Sequence, residues 1–519
     1  MAGGAEPVIG AVGLVLGLLV LAVCAAPIAA LMQAATPGTW AGADTAILRF
    51  TLMQAVLSAL LSVALAVPLA RALALRRFPG RGALLTLLGA PFLLPALVAV
   101  LGLLAIWGRG GVISDGLALV GRGPLDIYGL GGILLAHVFF NLPLVTRLLL
   151  QGWAAIPAEQ LRLAAGLGFR PADQFRHVEW PMLREVVPGA ALLVFLLCTT
   201  SFAIALTLGG GPGSTTVEVA IYQAIRFEFD LGRAGLLALV QTGLCLCLAG
   251  LLMLAGRPVT AQGGLLPEAG GVERHGWRRG ADSALLLGAV ALLGLPLLAI
   301  VLRGLPGLAE LDGSVLRAVG RSLAVALSSA AICVLWALGI AAGLVRLAER
   351  LPRLARAAEG AMLITLAVSP FVLAAGLFLL LRGRVDPFAI ALPMVVLVNA
   401  LMSLPFALRA LVPALALARR TDGRLADALG LRGWTRWRVA LLPRLRGPLG
   451  FSAGLAAALS MGDLGVIALF GSTSTSTLPL VVYQLMGAYR MEAAAGAALL
   501  LLALSLALFA AFDLWGRRA

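Results

Sequence analysis

Stretches of about 20 consecutive apolar residues recur along the whole chain, and each is as long as a helix must be to cross a hydrocarbon layer of about 30 Å. In approximate bounds they cover residues 8–31, 46–69, 84–107, 129–150, 189–208, 234–255, 284–302, 323–344, 361–381, 388–408, 449–470 and 493–512. The pattern predicts an all-α membrane protein with twelve transmembrane helices. Composition agrees: of 519 residues, 61% are hydrophobic and 12% are charged, against about 25% charged in an ordinary soluble domain. The first stretch has no basic residue before it, is too long for the core of a secretory signal and is followed by further spans, so it is read as an uncleaved helix.

All 39 basic residues are Arg, which sets the net charge at +15. Without Lys a G-x-x-x-x-G-K-[ST] phosphate loop cannot be written, so the chain carries no ordinary ATP-hydrolysing loop of its own. A Schiff-base lysine is excluded as well. Nucleic-acid binding would need a solvated basic face, whereas these Arg residues form short clusters between apolar stretches. They report topology instead. Arg71, Arg76, Arg77 and Arg81 follow span two, Arg162, Arg170, Arg176 and Arg184 follow span four, and Arg346, Arg350, Arg353 and Arg356 follow span eight. The densest cluster, which includes Arg419, Arg420, Arg432, Arg436 and Arg438, follows span ten. Cytoplasmic connections hold the excess of basic residues, so both termini are predicted to be cytoplasmic.

The chain is also duplicated. LAAGLGFR at 163–170 matches LADALGLR at 425–432, an offset of 262 residues. The same offset relates Leu142, Pro143 and Arg147 to Leu404, Pro405 and Arg409, and one residue less relates Tyr222 and Gln223 to Tyr483 and Gln484. Pairing Pro91 and Phe92 with Pro370 and Phe371 gives 279, which assigns about 17 extra residues to an external loop of the first half. Six spans per copy, in one orientation, predict two parallel repeats about an axis along the membrane normal. The division is then a first repeat at 1–255, a polar, Gly-rich cytoplasmic linker at 256–282, and a second repeat at 283–519.

Two long cytoplasmic segments stand out, at 151–181 and 411–443. In each, a helix-prone patch is followed by Gly (Gly168, Gly430), then seven residues on by a bulky residue (Phe175, Trp437), then six further by Pro (Pro181, Pro443). The glycine can close a helix in a left-handed turn and the proline can open the next. Such a pair of helices lying on the membrane face suits a helix-in-groove contact with a partner.

These residues resemble the integral permeases of binding-protein-dependent ABC importers, whose signature runs Glu-Ala-Ala, Gly after three residues, and Leu-Pro at the end. Ala164, Gly168, Phe175, Val178 and Pro181 fall on it in the first half, and Ala426, Gly430 and Pro443 in the second, with Trp437 in place of Phe. The signature's Glu is replaced by Arg162 and Arg424; Glu159, one helical turn earlier, is the candidate substitute. Within the family, residues 208–230 and 461–490 resemble thiamine-importer permeases, with fused ferric-iron permeases as the alternative. The resemblance implies a pore that binds no cofactor itself, with ATP and Mg used by two ABC ATPase subunits on the cytoplasmic face. It also implies a periplasmic substrate-binding protein, no nucleic acid, a bacterial inner-membrane location and alternating access without covalent chemistry. The competing class, a secondary transporter, would carry coupling carboxylates in several spans and would not need the matched segments.

Polar side chains within spans are expensive and so are pathway candidates. Asp463 lies midway along span eleven, and its repeat mate is Ser201, in a run with Thr199 and Thr200. Tyr222, Gln223, Tyr483 and Gln484 recur just beyond two external loops rich in Gly, Ser and Thr. Asn141 and Asn399 are read as interhelical hydrogen-bond residues. Neither the histidines His137, His177 and His275 nor the five scattered cysteines have the spacing of a metal site.

Overall fold

A computed structural model describes residues 5–36, 38, 40–254, 277–363, 365, 368–472 and 475–517. Among the described residues every regular element is helical. The first half contains α1 (Ala5–Ala34), α2 (Gly42–Leu75), α3 (Ala96–Trp107), α4 (Leu130–Ala154), α5 (Ala158–Gly166), α6 (Trp180–Thr199), α7 (Phe202–Leu208), α8 (Val217–Gln223) and α9 (Leu231–Leu254). The second contains α10 (Trp277–Gly307), α11 (Gly313–Arg350), α12 (Pro370–Leu381), α13 (Ala391–Ala428), α14 (Leu442–Met461), α15 (Gly465–Phe470), α16 (Leu478–Gly487) and α17 (Met491–Arg517). Of the linker expected at 256–282, residues 256–276 lie outside the described residues, and 277–282 open α10.

Eleven described helices are long and apolar enough to cross a membrane. The ninth expected span is interrupted: α12 has only 12 residues and is preceded by a separate helix, Pro352–Leu363. The break has a local cause. Ser369 accepts the Phe371 N–H at 3.2 Å, and Pro370 has no N–H with which to continue a helix from upstream. In the third span, likewise, a 3-10 turn at Ala90–Phe92 precedes Pro95 and α3.

The first helix of each half reaches across to the other. α1 packs mainly on α11 and α12, while α10 packs on α3 and α2 besides its own neighbour α17. Each crossing needs a glycine. A Cβ at Gly376 would meet the Pro27 carbonyl oxygen at 2.5 Å, and one at Gly102 would meet that of Pro296 at 2.7 Å. Small residues permit this backbone approach, which is how helices associate where lipid removes the hydrophobic drive. The reciprocal contact also corrects the alignment: Gly102 and Gly376 are 274 residues apart, not 279, so Pro91 and Phe92 lie upstream of the true counterparts of Pro370 and Phe371.

The second of the matched segments differs from expectation as well. α13 continues unbroken from Ala391 to Ala428, so no loop begins at 411. In the first half Pro157 separates α4 from α5; its repeat mate is Arg419, which can donate the backbone bond that Pro cannot.

Candidate functional site

The two matched segments share a local geometry. Gly168 has φ +67° and Gly430 φ +68°, with nothing within 4 Å of an added Cβ at either, so the backbone angle and not crowding selects glycine. Beside them the Phe169 N–H donates to the Ala164 carbonyl at 3.0 Å and the Leu431 N–H to that of Ala426 at 2.9 Å, closing both helices in the same way. Ala164 and Ala426 are buried. A short helix follows in each (Pro171–Gln174, Gly433–Arg436), then one π-helical turn (Phe175–Glu179, Trp437–Leu441), then α6 or α14 with Pro181 or Pro443 in its first turn.

How these turns are held differs. Glu179, buried, is ion-paired with Arg71 of α2, and the Arg71 guanidinium also lies 5.0 Å from the centre of the half-buried Phe175 ring. The repeat mates of Arg71 and Glu179 are Ala342 and Leu441, so in the second half the turn is seated by buried Leu441 and Trp437 instead. Glu159 is exposed and paired with Arg162 at 3.0 Å, which leaves it on the outer surface of α5.

Within the bundle, Ser201 belongs to a relay. The His137 ring bonds Ser58 through Nδ1 at 2.8 Å and Ser201 through Nε2 at 2.7 Å. The Ser201 hydroxyl donates to the Cys198 carbonyl at 3.0 Å, so in the neutral ring Nε2 carries the proton and Nδ1 accepts from Ser58. Thr199 and Thr200 turn back onto their own helix, each donating to the Leu196 carbonyl, and the Thr199 hydroxyl also meets Cys245 of α9. Asp463 lies just before α15: its carboxyl faces the Val466 and Gly465 N–H groups and the Asn399 side chain, Oδ1 accepting weakly from Val466 at 3.4 Å, while the buried Oδ2 makes no hydrogen bond among the described residues. Near it Asn399 donates to Ser460 at 3.0 Å, and Ser460 to Ser329 at 3.2 Å. Asn141 donates to the Cys198 sulfur at 3.2 Å, so both asparagines do join helices.

Tyr222 is buried at the junction of the halves, with Tyr483 near enough to interact electrostatically. Gln223 and Gln484 are exposed, and Gln223 lines a cavity of about 420 Å³ with Gly209–Thr215 and the start of α2. Sequence reasoning missed His137, set aside because it fits no metal spacing, and it missed Glu218 and Ser369, which bond to one another across the halves. An acid inside an otherwise apolar, buried segment was the available signal for Glu218. Among the described residues no group of three or more His, Cys, Asp or Glu is placed to hold a metal.

The comparisons bear on this geometry. No family model matches the chain. The thiamine transport system permease protein ThiP of Brucella abortus is 43% identical over 98% of this chain and 95% of its own length. This chain belongs to that permease family. The Salmonella typhimurium ThiP is 41% identical over 98% of this chain and 97% of its own, and that of Escherichia coli 42% over 90% and 88%. A shorter relative, the molybdenum transport system permease protein ModB of Azotobacter vinelandii, is 32% identical over 34% of this chain and 78% of its own length. The chain is therefore a multi-pass membrane protein and a transporter's permease subunit, not itself an enzyme. These relatives carry thiamine or molybdenum in their names.

Proposed function

We propose that this permease forms the transmembrane pathway of an ATP-driven importer that moves thiamine, or its phosphates, into the cytoplasm. A periplasmic binding protein delivers the substrate. Two ABC ATPase subunits, which use ATP and Mg, dock on the matched segments around Gly168 and Gly430, and their closure rocks the halves between outward and inward openings. Arginine placement supports an inner-membrane orientation with both termini in the cytoplasm. Duplication at 1–255 and 283–519 supports a single chain supplying both halves of the pore.

One observation carries this reading: near full-length identity to thiamine permeases in a chain whose two cytoplasmic turns repeat the same left-handed glycine and the same π-helical turn. Proteoliposomes containing the chain, its ATPase subunits and the binding protein are expected to accumulate labelled thiamine only with ATP. Uptake driven by a proton gradient without an ATPase would overturn the assignment.

A further inference from the structure

Between the halves lies a cluster that the matched motifs do not account for. Phe202, the first residue of α7, stacks on Phe371 of α12 with ring centres 4.5 Å apart and planes 18° from parallel. Tyr222 of α8 stands edge-on to both, at 5.5 and 6.3 Å. Each half thus supplies one ring of the stack, and these are the rings that must part if the halves separate.

Two carboxyl groups flank the stack. Glu218, 1% exposed, accepts from the Ser369 hydroxyl, two residues before Phe371, and faces the Phe202 backbone N–H; its Oε2 has no partner among the described residues. Asp463 approaches from α15: a methyl built on Gly465 would lie 3.7 Å from both Asp463 Oδ1 and the Phe202 ring, and 4.0 Å from the Phe371 ring. Carboxyl oxygens without donors are costly inside a membrane protein, and here there are two, one from each half, beside the stacked rings. Aromatic faces are electron-rich and attract cations, most strongly where water is excluded. Two electron-rich faces with two carboxyl groups beside them match a flat cation.

We propose that the Phe202–Phe371 stack is the closed constriction of the pathway, and that a planar aromatic cation passes by entering between the rings with Asp463 and Glu218 as its counter-charges. This rests on the import reading above and deepens it: the thiazolium ring of thiamine is such a cation. Tyr222 buttresses the rings, and the Glu218–Ser369 contact holds the two halves together while the gate is shut. The repeat mate of Glu218 is Pro479, so the latch has no second, repeat-related copy.

The test compares uptake of thiamine with uptake of its neutral isostere, in which carbon replaces the thiazolium nitrogen, by proteoliposomes holding the whole chain with its ATPase subunits and binding protein. The wild type sets the ratio, and the binding protein's own preference is common to every variant. Asp463→Asn and Phe371→Leu are each expected to lower the thiamine-to-isostere ratio about tenfold, Glu218→Gln about threefold, and Phe371→Trp to keep it within about twofold of wild type. ATPase co-purification with each variant checks assembly; if Asp463→Asn does not assemble, the Phe371 pair decides. In a second measurement, thiamine is expected to slow modification of Phe371→Cys by a thiol reagent in a background lacking the native cysteines, and the isostere is not. An unchanged ratio in the assembled variants, or no protection by thiamine, overturns the gate while wild-type uptake leaves the import reading standing. Absence of ATP-dependent thiamine uptake by the wild type defeats the import reading and the gate with it.

Discussion

The two copies of the six-helix unit keep polar side chains at corresponding places and fill them differently. Ser58, His137 and Ser201 in the first half answer to Ser329, Asn399 and Asp463 in the second. In the first, the chain of bonds closes on itself, and the imidazole and the Ser201 hydroxyl are each satisfied. In the second, Asn399 donates to Ser460 and also faces the Asp463 carboxyl, of which one oxygen is left without a hydrogen bond. The matched π-helical turns repeat the lesson: a buried ion pair seats one, and apolar side chains seat the other. Duplication preserved backbone positions, and the chemistry at those positions diverged. At this triad the first half satisfies its polar groups and the second keeps a carboxyl oxygen without a donor.

The largest effect is expected where the halves have not diverged. Gly168→Arg together with Gly430→Arg places a side chain at φ near +67° in both turns, at about 1–2 kcal/mol of local strain each, and projects two guanidinium groups from the proposed docking faces. Thiamine uptake and ATPase co-purification are expected to be lost while membrane insertion, read by protease protection, is retained. Normal complex assembly in the double variant would refute docking at these turns.

A second substitution copies a difference between the halves. Arg419→Pro installs in α13 the break that Pro157 makes in the first half, at a position where the helix is continuous. Loss of one backbone bond and a clash with the preceding turn cost about 3 kcal/mol or more. Cys24, Cys198, Cys245 and Cys333 are buried, so a thiol-reactive dye reports unfolding, and its midpoint should fall clearly. The variant with an unchanged midpoint would show that the continuity of α13 is incidental.

Exchanging the chemistry of the seated turns is a finer probe. Glu179→Ala strands the Arg71 guanidinium at the membrane edge; because Arg71 keeps some contact with water, the expected loss is about 2–3 kcal/mol, below that of a fully buried pair. Arg71→Ala with Glu179→Leu reproduces Ala342 and Leu441 of the other half and should recover most of that loss. A double variant as unstable as Glu179→Ala alone would mean that the two seats are not equivalent.

Much of this organisation was legible in the sequence, because span length and a 262-residue offset are each one-dimensional signals. The interrupted ninth span was not, since hydropathy averaged over 361–381 hides a proline and a capping serine that stop a helix without lowering its apolarity. The slipped pairing at Pro91 shows the same weakness: Pro-Phe recurs by chance one turn early, and only the Gly102–Pro296 and Gly376–Pro27 contacts fix the register. Ser201 and Asp463 were found through the repeat. Glu218 was not, because its partner position is Pro479 and the contact that gives it meaning, Ser369, is 151 residues away in the chain.

The smallest expected effect tests the duplication where it is most faithful. Thr51 accepts the Val217 N–H at 3.0 Å, and Ser322 accepts the Leu478 N–H at 2.8 Å; in each half a hydroxyl of the second helix satisfies the first buried N–H of the short helix beyond the external loop. Those N–H groups have no partner within their own helices. Thr51→Ala and Ser322→Ala should therefore each cost about 1–2 kcal/mol in thiol-exposure unfolding, whereas the exchange Thr51→Ser with Ser322→Thr should stay within about 0.5 kcal/mol of wild type. Equal losses would show that both external loops are pinned by one inherited bond. A loss confined to the Thr51 side would instead tie the first-half loop, with its cavity beside Gln223, to a load the second-half loop does not bear.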